Sequence, residues 1–290
     1  MSRAHVVSPI ELQSLRDLEL VTKATVEGLR QGLHRSPFHG YSAEFSQYRH
    51  YRPGDDLKYI DWKAFGRTDR LYTRQFRETT NLSALFIVDT SRSMDFDGKF
   101  ALARAVAAIL GTLVLDQGDA AGLLAVDART HYVPPRSGHH HLSVYLKAIS
   151  ALAPSGPEGV ADATRRAAAV MKRRGVVFVV SDLYEDAAVA RGVRRLARMG
   201  HDVVVVHTLS ARELSLDVGG AAEMVDLESG RRLVVQPSEA RERYVTAVTA
   251  WMGEVARDLR SSGIEYLRLI AGEPLGPALR RFLMHRKGGA

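Results

Sequence analysis

From Leu82 onward the chain repeats one pattern, a short apolar run of strand length followed by a longer segment with helical spacing. That alternation restricts the fold more than any other feature, because it predicts strands covered by crossover helices in a mainly parallel sheet. Residues 82–88 carry five large or branched apolar side chains with almost no polar break, as expected for a central strand buried on both faces. The series reads as strand 82–89, helix 99–117, strand 120–126, helix 142–152, helix 161–174, strand 176–182, helix 186–199 and strand 202–209.

In such sheets ligands gather beyond the carboxyl ends of strands, where strand order switches. The first strand runs into Asp89, Ser91 and Ser93, whose alternation along an extended loop can aim three oxygens at one spot, as a hard cation such as Mg²⁺ requires. The same triplet also suits a turn with a helix cap. Asp182 ends the strand 176–182 and supplies a second carboxylate at a second strand end.

Composition narrows the chemistry. The 290 residues include no cysteine, which removes disulfides, thiolate metal sites and a cysteine nucleophile. No apolar run approaches the roughly 20 residues of a membrane-spanning helix, and we expect a cytoplasmic chain. The net charge of +7 is spread along helices without an aromatic-interleaved patch, so nucleic acid is not the expected partner. No Walker lysine loop, His-Glu-x-x-His, Gly-x-Ser-x-Gly or dinucleotide glycine fingerprint is present. Ser91 also stands where an aspartyl-phosphate enzyme would place its second carboxylate. The consecutive His139, His140 and His141 cannot all face one ion and read as a solvated loop, and His207 reads as a hydrogen-bonded core histidine.

The flanks differ in style. Ser8-Pro9-Ile10-Glu11 predicts a capped opening helix of about five turns. Residues 49–76 mix Asp55, Asp56 and Asp61 with Arg49, Arg52, Lys58, Lys63, Arg67 and Arg70. We read them as an irregular loop locked by Asp–Arg pairs, with Trp62, Phe65 and Tyr72 as apolar anchors. After residue 209, a hairpin (223–227 and 231–235), a long helix (238–262), a strand (264–270) and a short helix after Pro274 complete the chain.

The Asp89-x-Ser91-x-Ser93 loop followed by Met94, the Gln117-Gly118-Asp119 entry to the next strand and the later Ser181-Asp182 resemble a von Willebrand factor A domain with a metal-ion-dependent adhesion site. Arg49-x-Tyr51, Pro53-Gly54-Asp55-Asp56, Ile60-Asp61-Trp62, Arg67 and the Asp226-x-Glu228-x-Gly230 hairpin resemble the bacterial family called domain of unknown function 58. The resemblance implies a three-layer Rossmann-like von Willebrand factor A-type domain with a mainly parallel sheet. An N-terminal helix and irregular segment and a C-terminal hairpin-helix-strand extension would flank it, dividing the chain into 1–79, 80–215 and 216–290. It assigns Asp89, Ser91, Ser93 and Asp182 to a site for Mg²⁺, with Mn²⁺ or Ca²⁺ as alternatives. Glu158 stands where that pattern places a threonine. Two readings stay open, a degenerate site or one in which Glu158 adds a third carboxylate, holding an ion more tightly while leaving less positive charge for a partner.

The functional expectation is a non-enzymatic interaction or adaptor module. A MoxR-type AAA+ ATPase, with which members of the resembled family are associated, or that machine's client, is the implied partner. The alternative is a metal-dependent phosphoester hydrolase using the same strand-end carboxylates.

Overall fold

The computed structural model describes residues 14–30, 43–53, 55–56, 59–78, 82–126, 129–154, 159–184, 186–217 and 222–288. The chain forms two compact units, one from 1–38 together with 82–290 and the other from 39–81.

The larger unit is built on a six-stranded sheet. Its strands are β3 (Ser83–Val88), β4 (Ala120–Val126), β5 (Thr130–Arg136), β6 (Val176–Ser181), β7 (Asp202–Ser210) and β10 (Glu265–Ala271). They lie in the order β10-β7-β6-β3-β4-β5, and β5 alone of these six pairs antiparallel. The expected continuous apolar strands are there, and alternate residues serve two cores. Ala84, Phe86, Val88, Phe178 and Val180 face one side; Leu85, Ile87, Val177 and Val179 face the other. Phe86 and Phe178 stack in neighbouring strands with centroids 4.6 Å apart, a pair that adds about 0.5–1.5 kcal/mol beyond the area it buries.

Helices cover both faces. The first core takes in α1 (Leu15–Arg30), α3 (Lys99–Asp116), α4 (His139–Ser150) and α9 (Leu275–Gly288). The second takes in α5 (Val160–Val170), α6 (Asp186–Arg198) and the end of α8 (Pro237–Ser261). Helix α3 is apolar nearly all round and is buried along almost its whole length, as a helix without a polar stripe must be. Where α3 crosses α4, Gly111 leaves room for the buried Tyr145 ring, whose hydroxyl donates to the Ala107 carbonyl at 2.8 Å. A methyl group at 111 would penetrate that ring, which Phe86 backs edge-on. Gly111→Ala therefore destabilises by about 1–3 kcal/mol despite alanine's better helix propensity. A lower urea midpoint with an unchanged slope would register this.

Several expectations change here. The Ser8 cap lies outside the described residues. The described helix starts after Ser14, whose hydroxyl accepts from the Asp17 N–H while Asp17 Oδ2 accepts from the Ser14 N–H. The histidine tract is no loop: it opens α4. His139 and His140 are exposed, and His141 turns inward to place Nε2 2.7 Å from the Ala121 carbonyl. Strand β5, unread from the sequence, carries Pro134-Pro135. Beyond the sheet, α7 (Ala211–Ser215) follows β7, and β8 (Ala222–Val225) with β9 (Arg232–Val235) forms the expected hairpin.

The smaller unit is more ordered than a locked loop. Strands β1 (Ala43–His50) and β2 (Tyr72–Glu78) pair antiparallel, and between them lies α2 (Trp62–Thr68). Asp61 caps α2 by accepting from the Lys63 and Ala64 N–H groups, and it also accepts from the Tyr48 hydroxyl at 2.8 Å. The expected Asp–Arg pairing appears as Arg49 to Asp55 at 2.8 Å. The Arg52 N–H and then the Arg49 guanidinium hold Asp55 below the usual carboxylate range. Of the expected anchors, Trp62 and Phe65 lie edge-to-face at 6.4 Å and stay exposed, whereas Tyr72 is half-buried beside His50.

Candidate functional site

The register of β3 and β6 pairs Val88 with Val180, so Asp89 leaves β3 beside Ser181, the last residue of β6, at the switch point of the sheet. Two backbone-directed bonds hold the loop there. The Asp89 N–H donates to the Val180 carbonyl at 2.9 Å, and the Thr90 hydroxyl donates to the Val126 carbonyl of β4 at 3.0 Å.

Every oxygen of the expected triplet is engaged inside this cluster. Asp89 Oδ1 accepts from the Ser91 N–H at 2.9 Å, and Oδ2 accepts from the Ser181 hydroxyl at 2.5 Å. The Ser91 and Ser93 hydroxyls are 3.0 Å apart and bond to each other. A 3-10 turn at Arg92–Asp95 follows, and its Ser93 N–H donates to Glu228 Oε1 at 2.7 Å. Glu228 comes from the turn between β8 and β9, where the Asp226 carboxylate accepts from its N–H. Asp89, Ser91 and Ser93 thus share one bonded cluster with Ser181, and Asp182, the next residue, turns its carboxylate to Lys99. Glu158 lies outside the described residues.

Asp182 faces a residue that sequence reasoning read only as the start of a helix. Lys99, the first residue of α3, is completely buried, and its ammonium donates to Asp182 Oδ2 at 2.8 Å and to Glu213 Oε1 at 2.5 Å. The Tyr184 ring lies on another side, its centroid 4.9 Å from Nζ. Glu213 is fixed by its own capping box: the Ser210 N–H donates to Oε2 at 3.0 Å, while the Glu213 N–H donates to the Ser210 hydroxyl at 3.0 Å. Glu213 is therefore both a member of the capping box of α7, whose cap is Ser210, and a partner of Lys99. Two signals for this pair exist in the sequence, the Ser210-x-x-Glu213 box and a lone lysine heading an apolar helix.

Beneath the cluster, His207 is the core histidine its sequence position implies. Nε2 lies 2.9 Å from the Asp182 carbonyl oxygen, and Nδ1 lies 2.7 Å from the Tyr266 hydroxyl. Burial pulls its pKa down to about 4, against the opposing pull of the Asp182 carbonyl. Asp89 moves the other way. Burial first, and then the neighbouring Asp182 charge, raise its carboxyl to about 6 in spite of the bonds from Ser181 and Ser91. Tyr184 is pushed far up by burial and by the Glu213 charge.

The donor set can be tested against the divalent ion that the resemblance implies. A hard dication needs several oxygens with free lone pairs. In this arrangement the serine hydroxyls bond each other and each Asp89 oxygen accepts one bond, which leaves all of them lone pairs, whereas Asp182 Oδ2 already faces an ammonium. Among the described residues no group of three or more His, Asp or Glu side chains is disposed to hold a metal. Asp182 as it stands is matched to the ammonium, whose positive charge opposes a dication on the same carboxylate.

A mixed α/β unit with a central, mostly parallel six-stranded sheet and a polar cluster at its switch point is the class of protein that this fold and site define. The chain belongs to the family described as protein of unknown function DUF58, which it matches over residues 47–252. It is 31% identical over 304 residues to the uncharacterized protein Rv1480 of Mycobacterium tuberculosis, covering all of this chain and 94% of that protein. It is 28% identical over 116 residues to the uncharacterized protein YeaD of Bacillus subtilis, covering 40% of this chain and 28% of that protein. Among solved structures it is similar to the conserved hypothetical protein BatB from Bacteroides thetaiotaomicron, with 15% identity and a TM-score of 0.45 over 71% of this chain and 99% of that one. An aerotolerance-related membrane protein from Bacteroides fragilis is similar at 14% identity and a TM-score of 0.43, over 72% of this chain and 100% of that one.

Proposed function

We propose that this chain is a non-enzymatic protein-interaction or adaptor module of von Willebrand factor A type, whose docking face is the strand-end surface around Asp89, Ser91 and Ser93 together with the β8–β9 hairpin. One observation carries this reading. Through Glu228 the hairpin is tied to the loop at Ser93, and it holds Leu227, Leu233 and Val234 in solvent, the last two 65% and 72% exposed. Apolar side chains held out beside a polar rim suit a protein partner. The cluster itself supports recognition over reaction, since its carboxylates and hydroxyls are bonded to one another rather than poised toward a substrate. The partner we assign, from the resemblance in the residue 49–67 and 226–230 motifs, is a MoxR-type AAA+ ATPase.

The test uses the purified MoxR-type ATPase of the source organism, immobilised, with this chain as analyte. The wild type should bind, and Leu233→Asp with Val234→Asp should weaken binding by about tenfold or more, the size expected for buried anchors of an interface. No binding by the wild type, or binding indifferent to the hairpin variant, would refute the assignment. Turnover of a generic phosphoester with Mg²⁺ or Mn²⁺, abolished by Asp89→Ala, would instead establish the hydrolase reading.

A further inference from the structure

The carboxylate of Asp182, one of the four implied ligands, is already held by Lys99. We propose that the Lys99 ammonium is the resident cation of this site, a tethered replacement for a divalent ion, and that a metal can enter only by displacing it.

The position of Lys99 is hard to explain otherwise. A lysine in the first turn of a helix meets the positive end of the helix dipole, and full burial removes its water. Both effects oppose a cation there. They are overcome because two carboxylates from two different strand ends converge on Nζ, Asp182 after β6 and Glu213 after β7, while the Tyr184 ring lies 4.9 Å away. Glu213 is additionally pinned by the Ser210 N–H, so this pocket for an ammonium is assembled by the fold and not by a passing side-chain rotamer.

Charge explains why a dication and Lys99 exclude each other. A metal bound to Asp182 would share its carboxylate with the ammonium, placing like charges within a few ångströms in a water-poor site. A monovalent group covalently part of α3 is always at full local concentration, whereas an ion must be drawn from solution. With Lys99 in place the cluster keeps its geometry without metal. The Asp89, Ser91 and Ser93 loop then presents the same surface at any divalent-ion concentration. This inference stands apart from the identity of the partner, because its readouts are the ion and the lysine themselves.

The experiment has two arms on the full chain. In the first, Mn²⁺ binding is followed by electron paramagnetic resonance of the free ion for wild type, Lys99→Arg and Lys99→Met. Wild type and Lys99→Arg should show no saturable binding at Mn²⁺ up to about 1 mM, and Lys99→Met should bind at least about tenfold more tightly, through the freed carboxylates. In the second arm, which needs no variant, lysines of the wild type are reductively methylated with and without Mn²⁺ and located by mass spectrometry. Lys99 should stay unmodified in both. Saturable Mn²⁺ binding by the wild type that Asp89→Ala abolishes while Lys99 stays unmethylated would overturn the proposal even if Lys99→Met fails to fold. A folded Lys99→Met that gains no Mn²⁺ affinity would overturn it as well.

Discussion

Asp182→Asn lowers the free energy of unfolding by about 3–5 kcal/mol, the cost of removing one partner from a buried ion pair. Lys99 loses its 2.8 Å partner and keeps only Glu213. One effect runs the other way: the Asp182 charge helps raise the Asp89 carboxyl, so removing it eases that group. Direct contact with the ammonium outweighs this relief, because the Asp182 charge is only the second cause of the Asp89 shift, after burial. In a chain of this size the loss corresponds to a fall in thermal midpoint of roughly 6–15 °C. The double variant Lys99→Met with Asp182→Asn removes both charges and should be more stable than the sum of the single losses predicts, by about 1–3 kcal/mol. Strict additivity, or a single loss below about 1 kcal/mol, would mean that the pair is solvated in solution.

Two opposed titrations give the second large effect. Asp89 carries a carboxyl raised from 3.8 to about 6. Between those values the folded chain holds a proton that the unfolded chain has released, so this group makes stability fall as pH rises from about 4 to about 6, and the penalty persists above that. His207 is depressed from 6.5 to about 4, so its neutral ring supports the fold above pH 6.5 and that support is lost as pH falls toward 4. Each contribution is on the order of 3 kcal/mol, and in the shared window they nearly cancel. Asp89→Asn therefore exposes the histidine slope: urea midpoints should rise with pH between about 4 and 6.5, and at pH 7 the variant should be more stable than wild type by on the order of 2–3 kcal/mol. His207→Gln should tilt the profile the other way. Parallel pH profiles for the two variants would contradict this assignment. A stabilising Asp89→Asn would also show that the carboxylate is retained at the expense of the fold.

The sheet was legible because its strands are buried on both faces, which writes them as unbroken apolar runs; 120–126 matches β4 and 176–182 overruns β6 by one residue. The elements that escaped notice lack that signature. Two prolines disguise β5. In β1 a register shift between Phe45 and Gln47 breaks the period of two, and the charges of β1 and β2 made a paired ribbon look like a loop. The oxygen-bearing half of the site could be read from Asp89, Ser91, Ser93 and Asp182 because each follows a strand. Its cationic half was written more faintly. Lys99 and Glu213 meet across 114 positions of sequence, and a lysine opening a helix ordinarily reads as solvated surface.

Pro134 and Pro135 have a consequence for how this sheet can meet other chains. Strand β5 closes one flank of the sheet, and two adjacent residues there have no N–H to offer a newcomer. Gly122 of β4 lets them nestle inward, since a methyl group at that position would lie 2.7 Å from the Pro135 nitrogen. The opposite flank, β10, contains no proline and keeps an amide on every residue. Growth by an added strand is therefore opposed at the β5 border by its own sequence, a bar that β10 does not carry.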